Sequence, residues 1–161
     1  CRKVTRKPLI TKLSPNQTDI RENARLCIEA GSDGLAVINT ISGMAIDPKT
    51  RKPVIGNVQG GLSGPAIKPI ALLMVKKVYE VAGPKNVPII GQGGITTVSD
   101  AIEFLVAGAT AIGLGTGLFY DPLLCPKINA GIAAYLSETG INVVTKLRGS
   151  PTDGATEDCA G

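Results

Sequence analysis

The stretch Val87–Gly117, VPIIGQGGITTVSDAIEFLVAGATAIGLGTG, decides the fold. It opens with a short apolar run led by Pro88 and closed by Gly93-Gly94, the pattern of a strand buried on both faces. Thr97 and Asp100 then stand at capping-box spacing. Behind them Val98, Ala101, Ile102, Leu105 and Val106 repeat at the period of one helical face. Gly108 ends the helix, and Ala109–Gly117 is a second apolar strand. Two doubly buried strands joined through an amphipathic helix make a parallel β-α-β unit.

The unit recurs upstream. Lys7-Pro8-Leu9-Ile10 begins a strand that ends at Ser14-Pro15-Asn16. A helix follows, with Thr18 as its expected N-cap and Ile20, Ala24, Cys27 and Ile28 as its stripe. An Ala30-Gly31 turn then leads to the apolar strand Gly34–Ile41, as Ala107-Gly108 does in the later copy. Between the copies, Ile67, Ile70, Ala71, Met74, Val75 and Val78 predict a helix over 66–82, stopped by Gly83-Pro84. After them, Ile128, Ile132, Tyr135 and Leu136 predict a last helix ending near Gly140. Residues 1–147 read as one domain, and 148–161 read as a disordered tail, because GSPTDGATEDCAG offers almost nothing to bury. An eight-stranded (β/α)8 barrel takes about 250 residues. With 161 residues and about four βα units, the chain reads as an α/β protein, the C-terminal half of a (β/α)8 TIM barrel.

Composition narrows the chemistry. The chain has no histidine, which excludes His-based triads and His metal sites. Its four cysteines (Cys1, Cys27, Cys125, Cys159) form no CxxC, so neither a metal centre nor a disulfide framework is expected. Aromatic residues are 3% of the chain and Trp is absent, which argues against a base-stacking nucleic-acid surface. The net charge of +4 is dispersed rather than gathered in one tract. No apolar stretch approaches the roughly 20 residues of a bilayer span, and the basic opening CRKVTRK is not followed by the apolar region of a signal peptide. A cytoplasmic protein without membrane or nucleic-acid partners is expected.

In such barrels function sits at the C-terminal ends of the strands, with phosphate often held after the last two. Here those two strands end in Gln92-Gly93-Gly94-Ile95 and Gly113-Leu114-Gly115-Thr116-Gly117. Glycines let the backbone approach a phosphate and aim successive N–H groups at it, and the segment after Gly117 could add a helix N-terminus. Tight turns alone are the plainer alternative. Lys12 shares a strand face with Ile10, so it points into the barrel toward an anion or a flavin ring, or else guards an exposed strand edge. Asn39 and Thr40 end the second strand, where an amide suits a planar amide-bearing ligand or a simple turn. The connection from Thr40 to Gly64 is long enough for an arm that covers the pocket or docks a partner, or for a surface excursion. Met44-Ala45-Ile46 and Pro53-Val54-Ile55 predict a hairpin within it.

Taken together, Lys12–Asn16 (KLSPN), Ile38-Asn39-Thr40, Gly60–Pro69 (GGLSGPAIKP), Pro88–Ile95 (PIIGQGGI) and Gly113–Gly117 (GLGTG) resemble the dihydroorotate dehydrogenase family over about Pro8–Gly140. Asn39–Asp47 (NTISGMAID) and Lys52-Pro53 resemble its class 1B branch. The resemblance implies a (β/α)8 barrel holding FMN, an oxidoreductase that converts dihydroorotate to orotate in pyrimidine biosynthesis. Carried onto the matching positions, it implies that Lys12, Ile38, Gly64, Gly93, Gly94, Gly115 and Thr116 hold FMN and that Asn39 and Thr40 bind substrate. It also implies a homo-oligomer that passes electrons to a separate iron–sulfur and FAD subunit. The family's catalytic base, a cysteine in class 1, belongs to the N-terminal half of the barrel, for which this chain has no counterpart. Cys27 reads as helix packing and Cys125 as a surface-loop residue, so no catalytic residue is assigned and the chain alone is expected to be inactive. Two other readings stand beside this one: a flavin barrel of the dihydropyrimidine dehydrogenase type, and a non-catalytic phosphate- or flavin-binding half-barrel.

Overall fold

A computed structural model describes residues 1–150. After a short turn of helix at Arg2–Val4, the chain runs β1 (Ile10–Leu13), α1 (Ile20–Glu29) and β2 (Gly34–Val37). An excursion follows, built from β3 (Ile41–Gly43), β4 (Ile46–Asp47), β5 (Lys52–Pro53) and β6 (Gly60–Leu62). The chain then continues through α2 (Lys68–Ala82), β7 (Ile89–Gln92), α3 (Val98–Ala107), β8 (Ala111–Gly113), α4 (Gly117–Tyr120) and α5 (Leu124–Glu138). The main sheet has the order β1-β2-β7-β8, all parallel, with Lys12 beside Ala36 and Gln92 beside Gly113. Every connection between its strands carries a helix or an arm, as parallel pairing requires.

Alternation sorts the strand residues onto two faces. Leu13, Leu35, Val37 and Ile89 point to the helix side and are buried, meeting Ala71, Val75 and Val78 of α2 and Phe104 of α3. Each large side chain sealed there contributes about 1.5–3 kcal/mol. Gly91 belongs to this face too. A Cβ on it would stand 2.8 Å from both Phe104 Cδ1 and Ala109 Cβ, so the bare backbone is what lets α3 lie so close to β7. Ile10, Lys12, Ala36, Ile90, Gln92 and Gly113 share the opposite face, the inner wall of the half-barrel. Among the described residues β1 and β8 are paired on one side only.

The excursion makes two small antiparallel ribbons. β4 pairs with β5 at Ile46–Pro53, inside the expected hairpin, and β3 pairs with β6 at Ile41–Leu62, which the sequence did not announce. Met44, Ile46, Val54 and Val58 are exposed on it.

Three local expectations are corrected. The cap of α1 is Asp19, whose carboxylate accepts from Arg21 N at 3.0 Å, rather than Thr18. Cys125 lies in the first turn of α5, exposed, rather than in a loop, because proline at Pro126 is tolerated where the helix N–H groups have no partner anyway. The apolar run after Ala109 is a strand only as far as Gly113, and Gly117 already begins α4. At the far end, Arg148 stacks over the Tyr79 ring with 5.4 Å to its centroid. A Cβ on Gly149 would overlap that ring. The rest of the expected tail, from Pro151, lies outside the described residues.

Candidate functional site

The C-terminal ends of β1, β2, β7 and β8, together with the loop Ser63–Ile67 before α2, enclose one cavity of about 440 Å³. All nine residues singled out in the sequence stand on its wall: Lys12, Ile38, Asn39, Thr40, Gly64, Gly93, Gly94, Gly115 and Thr116. They arrive there from five separate segments, because a parallel sheet turns every strand's C-terminal end to the same rim.

The rim has two chemically distinct sides. On the β1–β2 side the groups are side chains. Lys12 comes off the inner face of β1. Ile38 is buried, held at both ends by Gln92: its N–H donates to Gln92 O at 3.0 Å, and its carbonyl accepts from Gln92 Nε2 at 2.9 Å. Asn39 donates its main-chain N–H to Leu13 O at 2.8 Å, and its side-chain oxygen accepts from Thr40 N at 2.9 Å. Among the described residues the Asn39 NH2 group has no acceptor. Asn16, after the Ser14-Pro15 turn, steadies this side by donating to Thr40 O at 3.0 Å and accepting from Ser42 N at 2.9 Å.

On the β7–β8 side the groups are main chain. Gly64, Gly93 and Gly94 have φ of +94°, +134° and +81°, values that favour glycine. A Cβ added at Gly64 or Gly115 meets nothing within 4 Å, so their missing side chains leave the cavity open. Among the described residues, the N–H groups of Gly94, Gly115 and Thr116 have no acceptor. Free N–H groups converging on a concavity form an anion site. The residues present therefore fit a phosphate group. The short α4 has only four residues, so it adds little of a helix dipole.

Four further groups on or behind the wall, Gln92, Ser63, Asp100 and Lys68, were not read from the sequence as site residues. Gln92 is the polar residue of an apolar strand, in step with Ile90, a signal that strand alternation carries. Ser63 accepts from Thr116 Oγ1 at 2.7 Å and so joins the loop before α2 to the loop after β8. Behind Gly94, Asp100 accepts from the N–H groups of Thr96 and Thr97, both at 2.9 Å, and from Lys68 Nζ at 2.6 Å. Burial opposes the charge on Asp100, but the Lys68 ammonium and these donors outweigh it and hold the carboxyl far below its ordinary range. The titratable side chains on the cavity wall are Lys12 and Tyr120. The described cysteines Cys1, Cys27 and Cys125 are all away from it.

Residues 1–136 match the family model for dihydroorotate dehydrogenase. The chain is 51% identical over 150 residues to the dihydroorotate dehydrogenase B (NAD(+)) catalytic subunit of Pelobacter propionicus, covering 93% of this chain and 48% of that one. It is 53% identical over 150 residues to the subunit of the same name from Trichlorobacter lovleyi, again 93% of this chain against 48% of the relative. The chain spans about half the length of these curated relatives. Among solved structures, DHODH of Eimeria tenella in complex with ferulenol superposes with a TM-score of 0.72 at 30% identity, covering 89% of this chain and 38% of that one.

Proposed function

The chain belongs to the dihydroorotate dehydrogenase family, and from that premise we propose that it forms the phosphate-holding rim and part of the substrate site of an FMN-dependent enzyme oxidising dihydroorotate to orotate. The observation that carries this is the convergence of the glycine turns after β7 and β8 with Lys12, Asn39 and Thr40 on one cavity. When bound, FMN supplies the acceptor for the two electrons that leave the substrate. The N–H groups of Gly64, Gly93, Gly94, Gly115 and Thr116 would hold its phosphate. Ile38 and Lys12 would hold its ring system, Ile38 as an apolar wall and Lys12 as a nearby positive charge. The Asn39 amide and the Thr40 hydroxyl orient the flat, amide-rich substrate by hydrogen bonds, holding the reacting carbons in place.

Oxidation also needs a proton taken from the carbon next to the hydride donor. The wall offers Lys12 and Tyr120 but no carboxylate or thiol, so we assign the base to a segment outside the 150 described residues. The same reading assigns the enzyme to cytoplasmic pyrimidine biosynthesis as a homo-oligomer. It pairs the enzyme with a separate iron–sulfur and FAD subunit, in keeping with relatives named as NAD(+)-type catalytic subunits. The test is a flavin spectrum and an assay with dihydroorotate and with dihydropyrimidines. The natural-length protein is expected to be yellow and to oxidise dihydroorotate, while the 161-residue chain supplied with FMN shows no turnover. Turnover by the short chain, or preference for a dihydropyrimidine, overturns the assignment.

A further inference from the structure

Asp100 is the one buried charged side chain among the described residues, and helix capping does not account for all its contacts. A capping box needs the reciprocal bonds between Thr97 and Asp100, and these are present. Asp100 Oδ2 goes further, accepting from Thr96 N at 2.9 Å and Thr96 Oγ1 at 3.1 Å, both in the turn that follows Gly93-Gly94. Its other oxygen accepts from Lys68 Nζ at 2.6 Å. Lys68 is the first residue of α2, four positions after Gly64. The ion pair thus spans two of the three loops that carry the glycine rim, the one with Gly64 and the one with Gly93 and Gly94. Those loops also touch directly, since a Cβ on Gly94 would stand 2.7 Å from Gly64 O and 3.0 Å from Lys68 N.

Charge alone cannot explain such a pair beside an anion site. Lys68 also donates to Glu103 Oε1 at 2.9 Å, so one ammonium faces two carboxylates and the cluster is net negative. Its field repels a phosphate. Lys68 is not on the cavity wall and gives two of its three ammonium donors to Asp100 and Glu103. Any favourable contribution to anion binding is therefore geometric.

We propose that Asp100 and Lys68 are positioning residues for the phosphate end of the cavity, clamping the turn after β7 against the start of α2 so that the N–H groups near Gly64 and Gly94 keep a fixed separation. The proposal rests on the reading of this rim as a phosphate site. Geometry and field give opposite signs, which makes the test sharp. In the natural-length protein stripped of flavin, Kd is measured by flavin fluorescence for FMN and for riboflavin, which lacks the phosphate. The wild type is expected to prefer FMN. Asp100→Asn keeps the size and removes the charge. It should weaken FMN binding roughly tenfold or more, the scale of losing charge-assisted hydrogen bonds, and leave riboflavin within about threefold. Lys68→Gln combined with Glu103→Gln breaks the ion pair while leaving the net charge of the cluster unchanged, and it should reduce the same FMN preference. It decides the matter should Asp100→Asn fail to fold. Unchanged or tighter FMN binding in a folded variant, or equal losses for both flavins, overturns the clamp while leaving the phosphate reading intact. A wild type with no preference for FMN overturns both.

Discussion

The units β1-α1-β2 and β7-α3-β8 share one design and present it to the cavity in opposite ways. Both run a proline-led strand into an amphipathic helix and turn through Ala-Gly with positive φ, +91° at Gly31 and +123° at Gly108. Both then return a parallel strand, Ile10 against Gly34 and Ile90 against Ala111. At the rim the first unit offers the side chains of Lys12, Asn39 and Thr40, while the second offers bare backbone at Gly93, Gly94 and Gly115. Their helices differ in the same sense. α1 lies outermost with Arg25 bridged to Glu22 and Glu29 on its surface, whereas α3 buries Ala101, Phe104 and Leu105. One supersecondary unit can therefore serve recognition by side-chain chemistry or by exposed amides. Which it does depends on whether the residues after its strands carry a Cβ.

The largest way to separate the units is in the core. Phe104→Ala should cost about 3–5 kcal/mol of unfolding free energy, because the ring is fully buried against Gly91. Cys27→Ala, at the matching place before the Ala-Gly turn of α1, should cost about 1 kcal/mol or less, since that side chain is only partly buried. Equal losses in denaturant melts would break the comparison. Gly94→Val is next. With φ of +81° and Gly64 O only 2.7 Å from an added Cβ, it should lower flavin retention about a hundredfold, near 3 kcal/mol. Full flavin content after gel filtration would remove the main-chain half of the argument. Asn39→Ala probes the other side. It should raise the KM for dihydroorotate about tenfold and leave flavin content unchanged, and the reverse pattern would exchange the two roles.

The smallest effect is one of pH. Asp100 ionises below its ordinary 3.8 in the folded state, so its contribution is complete above that value and lost as pH falls toward the folded one. Lys68 is raised above 10.5 by Asp100 and Glu103, so its contribution is complete below that value and lost only at higher pH. The stability difference between wild type and Asp100→Asn should then stay constant from about pH 5 to 9 and shrink below about pH 4. A midpoint near neutrality would mean that another group titrates with the pair.

Much of this was legible in the residues. The apolar run Gly34–Val37 is a strand buried along its whole length, whereas in Ile89–Gln92 only Ile89 and Gly91 are buried and Ile90 and Gln92 on the other face are half-buried. α2 covers both strands, and Phe104, the largest buried residue of α3, stands outside the stripe of Val98, Ala101, Ile102, Leu105 and Val106. Alternation placed Lys12 on the inner face. The pairing of β3 with β6 was not legible, because Ile41-Ser42-Gly43 and Gly60-Gly61-Leu62 are too short and glycine-rich to show a period of two. Thr18 and Asp19 are both competent caps, and only the backbone chooses between them. Asp100 was legible as a cap but not as a tie to Lys68, since partners 32 residues apart leave no local pattern.

The bare backbone at Gly91 has a practical corollary. Phe104 lies on the outer layer, across the sheet from the cavity, yet its fit against Gly91 sets how closely α3 approaches β7 and so where the turn between them can lie. A genetic screen for flavin-requiring mutants would then return hits at Gly91 and Phe104. Mapped naively, these would be mistaken for ligand contacts when they are spacers.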